Sequence, residues 1–199
     1  MLRTVFAALF LTSAAHAQNY LQFPPLPVSS PSFLINGHWF GNGVYNFSSS
    51  TSPINDSSAS WMAFDKSNST FWLSDNAYPN GSFVGSTETL VHRGEWIQIS
   101  LPLQIALKSI SLTCYPDSGY LCPTKIAVLG SQNRDGNWIE LVSIAPIFSV
   151  SNSTINFPID TNEHFSVYRF VFKAADMKPG SLQIALADLR LFGVDRKSP

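Results

Sequence analysis

The chain is 199 residues long, and 45% of it is hydrophobic while only 13% is charged, about half the usual share of roughly 25%. A net charge of −1 and an abundance of serine and asparagine exclude the basic surface of a nucleic-acid binder, and the 13% aromatic content excludes simple disorder. A chain of this size suits one domain with its own core.

In chain order, the N-terminus reads as an export signal. Arg3 supplies a positive start, Val5 to Ala15 form a short apolar stretch, and Ala15-His16-Ala17 offers the small-x-small pattern of a signal-peptidase site. The run falls short of the roughly 20 residues that span a bilayer. Residues 1–17 are therefore expected to be removed and the product secreted; a short core strand or helix is the alternative reading. Residues 18–39 contain Pro24, Pro25, Pro27 and Pro31 and read as an extended leader. Between Gln18 and Phe64 the one charged side chain is Asp56.

Residues 40–195 read as one β domain. Ile97, Ile99 and Leu101 share one face of a strand, and Ile110 and Leu112 alternate with serines and Thr113. Lys125 to Leu129 and Trp138 to Val142 flank an Asp135-Gly136 turn signal and predict a hairpin. Ile155 and Phe157 alternate, as do Tyr168, Phe170 and Phe172, and Leu182 to Val194 mixes strand residues with helix-compatible stretches. About eight short strands without a clean helical period imply an all-β antiparallel sandwich.

N-x-S/T sequons stand at Asn46, Asn55, Asn68, Asn80 and Asn152; in a eukaryotic secretory route they mark surface loops carrying glycans. Two cysteines, Cys114 and Cys122, lie close together, and an oxidising compartment favours a disulfide between them over two free thiols. There is no second Cys or His pair at zinc-ligand spacing. No G-x-S-x-G elbow, H-E-x-x-H helix or Gly-rich phosphate loop is present. His38, His92 and His164 are isolated, and the acids are scattered, so nothing selects a catalytic pair. The expectation is a protein that is not an enzyme.

One constellation is specific. Ala63-Phe64-Asp65-Lys66-Ser67-Asn68-Ser69-Thr70-Phe71-Trp72 resembles the A-F-D-G-D-P-x-T-x-W signature of the discoidin family, the coagulation factor V/VIII type C domains. Gly94 to Leu101 resembles the family's W-I-Q-I-D-L strand, and Pro123 to Ser131 with Asp135-Gly136-Asn137-Trp138 is similar to its central hairpin. Val167-Tyr168-Arg169-Phe170 and Ile184 to Gly193 resemble its last two strands. The resemblance spans residues 40–194 and also touches family 32 carbohydrate-binding modules. It implies an eight-stranded antiparallel jelly-roll β-sandwich of the galactose-binding-like type, whose loops at one end bind glycans or lipid head groups. Ser100 and Pro102 stand where the family has Asp and Gly, and no arginine occupies the region of Cys114-Tyr115.

Within that frame Trp72, Trp96 and Trp138 are expected to pack in the core. A sugar site combines an aromatic plate for the C–H face of a ring with polar groups that replace hydroxyl hydration. The candidates are Asn76, Tyr78 and Phe83, then His92 and Arg93, then Tyr115 and Tyr120. The resemblance also implies one structural calcium ion in the Asp65–Thr70 loop. It would be held by the side chains of Asp65, Thr70 and Asp188 and by carbonyls of Met62, Ser67, Thr70 and Ala187, tying the first loop to the last strand. The partner class expected is glycans or glycoproteins, with no nucleic acid; a structural or adhesive surface component and a membrane phospholipid binder are the alternatives.

Overall fold

The structure, a computed structural model, describes residues 20–51, 58–115, 121–133, 136–148, 153–176 and 178–196. The segment expected to act as an export signal, the sequons at Asn55 and Asn152, Tyr120 and Asp135 lie outside these residues.

Among the described residues twelve strands are present, several of only two to four residues, and no α-helix occurs. They are β1 (Leu21–Phe23), β2 (Ser32–Ile35), β3 (Gly43–Ser49), β4 (Trp72–Leu73), β5 (Glu88–Thr89) and β6 (His92–Arg93). Then come β7 (Glu95–Cys114), β8 (Pro123–Ser131), β9 (Ile139–Ile144), β10 (Thr154–Pro158), β11 (His164–Ala175) and β12 (Ala185–Asp195). β7 runs for 20 residues and takes part in both layers. Its first half pairs with β3 and β11, and β11 continues through β8 to β9. Its second half pairs with β10 and β12, and β12 carries β1 and β4. Pro102 marks the corner. There Gly43 sits at φ +129, and a Cβ on it would meet the Pro102 Cβ at 2.4 Å.

The predicted alternation is realised. Ile97, Ile99, Tyr168, Phe170 and Phe172 from one layer and Ile110, Leu112, Leu189 and Leu191 from the other are buried in one core. The β8–β9 hairpin forms in antiparallel register, and the ambiguous Leu182–Val194 region is strand rather than helix from Ala185 onward. The expected leader is corrected. Leu21–Phe23 pairs with β12, Ser32–Ile35 pairs with β3, and Phe23, Val28 and Ile35 are buried. Apolar residues between the prolines give this stretch surface to bury, so the domain begins before residue 40.

Trp72 is fully buried and stacks on Phe172 at 5.1 Å. Trp96 and Trp138 are not in that core. They are half-buried on the outer face of the first layer, where they pack against Ala127, Leu129 and Val171. The Arg169 guanidinium lies between them, 3.8 Å from one ring and 4.3 Å from the other. It donates to Gln98 Oε1 through Nε (3.0 Å) and NH2 (2.7 Å), and to Thr89 Oγ1 through NH1 (2.8 Å). Burial pulls its pKa down to about 10. The bond to Thr89, with His92 Nε2 at 3.0 Å from Glu140 Oε2, fastens the β5–β6 hairpin to this face. Replacing Arg169 by Ala is expected to lower stability by about 2–4 kcal/mol, from the lost cation–π contacts and charge-assisted hydrogen bonds. Arg169→Lys should recover only part, because a point charge cannot reproduce the planar fork; denaturant unfolding of both variants measures this.

Candidate functional site

One end of the sandwich is assembled from loops that cross-brace each other. Ser74 N–H donates to the Ile184 carbonyl (2.9 Å), Tyr78 N–H to Leu182 (3.0 Å) and Leu121 N–H to Gln183 (2.9 Å). Asp176 N–H donates to the Cys122 carbonyl (2.9 Å), and Asp176 Oδ1 accepts from Cys122 N–H at 2.6 Å. The buried Tyr78 hydroxyl donates to Phe172 O (2.8 Å) and accepts from Glu95 N–H (3.1 Å). The opposite end, around the β7 corner, is closed by Gln104, Gln132 and Arg196.

The Cys114–Cys122 disulfide forms at this loop end, with Cα atoms 5.6 Å apart. On one side of it Tyr115 packs against Phe71 with the rings tilted by 38° and their centroids 4.1 Å apart, both half-buried. On the other lies a cleft of about 260 Å³ lined by Cys122, Thr124, Ala145, Pro146, Ile147, Phe148 and Asp176. Its walls are mostly apolar, with one hydroxyl and one carboxylate for polar contacts. Asp176 also faces Lys178 at 3.5 Å.

The sequence-predicted residues divide. Asn76 and Arg93 are exposed, and Arg93 NH2 donates to the Gly85 carbonyl at 2.8 Å. Phe83 is half-buried against Tyr78. Tyr78 and His92 are corrected: both are buried, at 0% and 4% exposure. Tyr78 is a core strut whose hydroxyl is used twice, and burial pushes its phenol well above the ordinary range. His92 is turned toward Glu140 beneath its own hairpin. Phe71, Thr124 and Asp176 were not singled out in the sequence. Phe71 is masked there by the motif it belongs to, and the cleft becomes visible only once β8 and β9 are paired. Among the sequons, Asn68 is exposed in a loop and Asn80 is exposed in the short 3-10 turn Pro79–Gly81, whereas Asn46 lies half-buried in β3 between Ser32 and Ser100.

Hydrogen bonds within the Asp65–Thr70 loop hold Asp65, and a neighbour on β12 holds Asp188. Asp65 Oδ1 accepts from Ser67 N–H (2.8 Å) and Oδ2 from the Thr70 hydroxyl (2.6 Å). Asp188 is 2% exposed, and its Oδ2 accepts a hydrogen bond from Arg190 Nε–H at 2.5 Å. Asp188 Oδ1 is the one carboxylate oxygen left without a hydrogen-bond partner. Burial raises the pKa of both acids, with Arg190 opposing the rise at Asp188.

The fold so built is a galactose-binding-like β-sandwich, the architecture of family 32 carbohydrate-binding modules. A module from a Clostridium perfringens family 89 glycoside hydrolase, solved with GalNAc-β-1,3-galactose, superposes with TM-score 0.55 at 12% identity, covering 75% of this chain and 95% of that one. The family 32 module of C. perfringens NanJ, solved with galactose, gives TM-score 0.53 at 13% identity over 74% and 93%. A chitosan-binding module from a Paenibacillus chitosanase/glucanase gives 0.51 at 15% over 74% and 93%. Where a whole family 89 hydrolase is matched, this chain spans 14% of its length. No family model matches the sequence, and no curated protein matches it.

Two outcomes follow from the geometry of this end. Reducing the disulfide is expected to cost about 2.5 kcal/mol for so short a ring, read as a lower melting temperature in reductant. Glu95 is buried, its carboxylate held by Ser50 and Thr51, and burial raises its pKa despite the Ser50 bond. An acid whose folded-state value is raised costs nothing while both states are protonated, and destabilises the fold as pH climbs from the unfolded value through the folded one. Glu95→Gln should therefore flatten the fall in melting temperature as pH is raised from about 4 to 7.

Proposed function

We propose that the protein is a secreted, non-enzymatic binding module that holds a glycan at the loop end of the sandwich. The observation that carries this reading is the placement of the Phe71–Tyr115 aromatic pair and the apolar-walled cleft on either side of one disulfide. An aromatic surface takes the C–H face of a sugar ring, and Asn76, Arg93, Thr124 and Asp176 supply donors and acceptors for hydroxyls. The fold shared with modules solved on galactose and GalNAc-β-1,3-galactose supports the ligand class.

A second reading has its own observation. Ile147 is 85% exposed at the cleft rim and Leu182 is 40% exposed on the same end, apolar side chains that suit insertion into a lipid surface. A glycan array on the secreted chain, run beside liposome co-sedimentation, separates the two. The expected outcome is glycan binding without liposome binding. For the glycan identified, Tyr115→Ala and Asp176→Ala should each weaken binding by about 1–3 kcal/mol, measured by calorimetry. Liposome binding with no glycan retained would reverse the order of the readings.

A further inference from the structure

The pole opposite the disulfide carries an aromatic feature that the loop-end site does not use. β2 and β3 form a hairpin whose last pair sets Ile35 opposite Gly43, against Pro102 at the β7 corner. The connection between them, residues 36–42, presents Trp39 with 78% of its surface exposed. Of the chain's five tryptophans, Trp72 is buried and Trp61, Trp96 and Trp138 are half-buried, so Trp39 alone stands open to water.

The connection is braced on both sides of this ring. The Asn42 side chain accepts from the His38 N–H at 2.9 Å and donates to the His38 carbonyl, so one amide clasps both backbone groups of the preceding residue. His38 Nδ1 lies 2.9 Å from the carbonyl of Phe40, the following residue. The buried Tyr45 hydroxyl donates to the Gly41 carbonyl at 2.8 Å, and Gly41 fits so closely that a Cβ on it would stand 3.2 Å from two Pro25 carbons. Trp39 meets Phe40 edge-to-face at 4.3 Å, and Phe40 meets Phe23 of the core at 5.6 Å. The indole is thus a plate fixed in advance, so little further ordering is needed when a partner covers it.

The partner's chemistry follows from the surroundings. No Asp, Glu, Lys or Arg occurs between Gln18 and Asn55, so the hairpin itself offers nothing to a charged ligand and no cation to draw it to an anionic membrane. Lys66 reaches the neighbouring Pro25, but its ammonium donates to that carbonyl at 2.7 Å. What the connection does offer is an open aromatic face, the exposed Asn36 amide and the half-buried His38 ring, centred 6.0 Å from the indole. An aromatic face with an amide and an imidazole beside it suits the C–H face and hydroxyl rim of an uncharged sugar ring.

We propose that Trp39 is the platform of a second binding surface, for an uncharged sugar chain, at the pole opposite the disulfide. The test uses the secreted chain on three uncharged matrices, galactose-agarose, chitin and microcrystalline cellulose, with the variants Trp39→Ala, Trp39→Phe and Tyr115→Ala. Trp39→Ala should melt as the wild type does, because an exposed ring contributes little packing. Wild-type protein is expected to be retained on at least one matrix, Trp39→Ala to weaken that retention roughly tenfold or more, and Trp39→Phe to keep part of it. Acrylamide quenching of the wild-type emission, to which Trp39 is the most accessible contributor, should fall when galactose, chitotetraose or cellotetraose is added to match the matrix. Unchanged retention of Trp39→Ala on every matrix overturns the proposal, and a loss on Tyr115→Ala alone leaves the loop-end site standing without it. A loss on Trp39→Ala alone has the reverse meaning. Retention on no matrix, or Trp39-dependent sedimentation with phosphatidylcholine vesicles in its place, also overturns the proposal.

Discussion

The structure depends on a single strand that serves both layers of one continuous sheet. β7 pairs with β3 and β11 before its corner and with β10 and β12 after it, so neither layer can form its centre without the other. The corner is a steric fit of Pro102 against Gly43, where no side chain could be added. Because the strand is continuous, the spacing and rotation of the two layers follow from the geometry of that bend. The core aromatics Phe170, Phe172 and Trp72 then fill what remains between them. The same continuity fixes where loops can go: strand ends gather at the two poles, and the pole away from the corner receives the longer connections.

A chain with so few charges uses them inside. Arg169 lies between two tryptophans, Glu95 holds two hydroxyls of the Ser50–Thr51 turn, and His92 meets Glu140. Each of these joins segments distant in sequence, and each replaces a stretch of apolar packing that short loops cannot provide. Serine and threonine hydroxyls do the rest: Ser74 Oγ accepts from Ile184 N–H, and Thr70 donates to Asp65. The abundance of small hydroxyl residues is thus a structural resource for bracing loops. It leaves comparatively little charged surface to steer ligands from a distance.

What was legible in the sequence follows from which interactions are local. Alternation in Ile97-Gln98-Ile99 or Tyr168-Arg169-Phe170 reports the two faces of a strand directly, and the ordered motifs from Asp65 to Gly193 report the topology. The leader was opaque because proline density resembles an extended linker, while the partner that makes Leu21–Phe23 a strand, β12, lies at the far end of the chain. Tyr78 and His92 mislead for a related reason. Their polar atoms suggest exposure, and only the fold shows that Phe172, Glu95 and Glu140 are waiting for them. The cleft beside Cys122 joins residues from three strand ends, a coincidence of place that no single window of sequence encodes.

The pairing of β1 with β12 sets Leu21 opposite Gly193, near the β7 corner and away from the disulfide-bearing loops. The outer ends of the first and last described strands therefore lie at neighbouring points on one pole. A tether, a fused domain or an immobilisation tag joined at those two strand ends would leave the far pole facing outward. Such a module can be hung from a surface or strung into an array by its ends, with each copy presenting its loops to solution like a plug held by its cord.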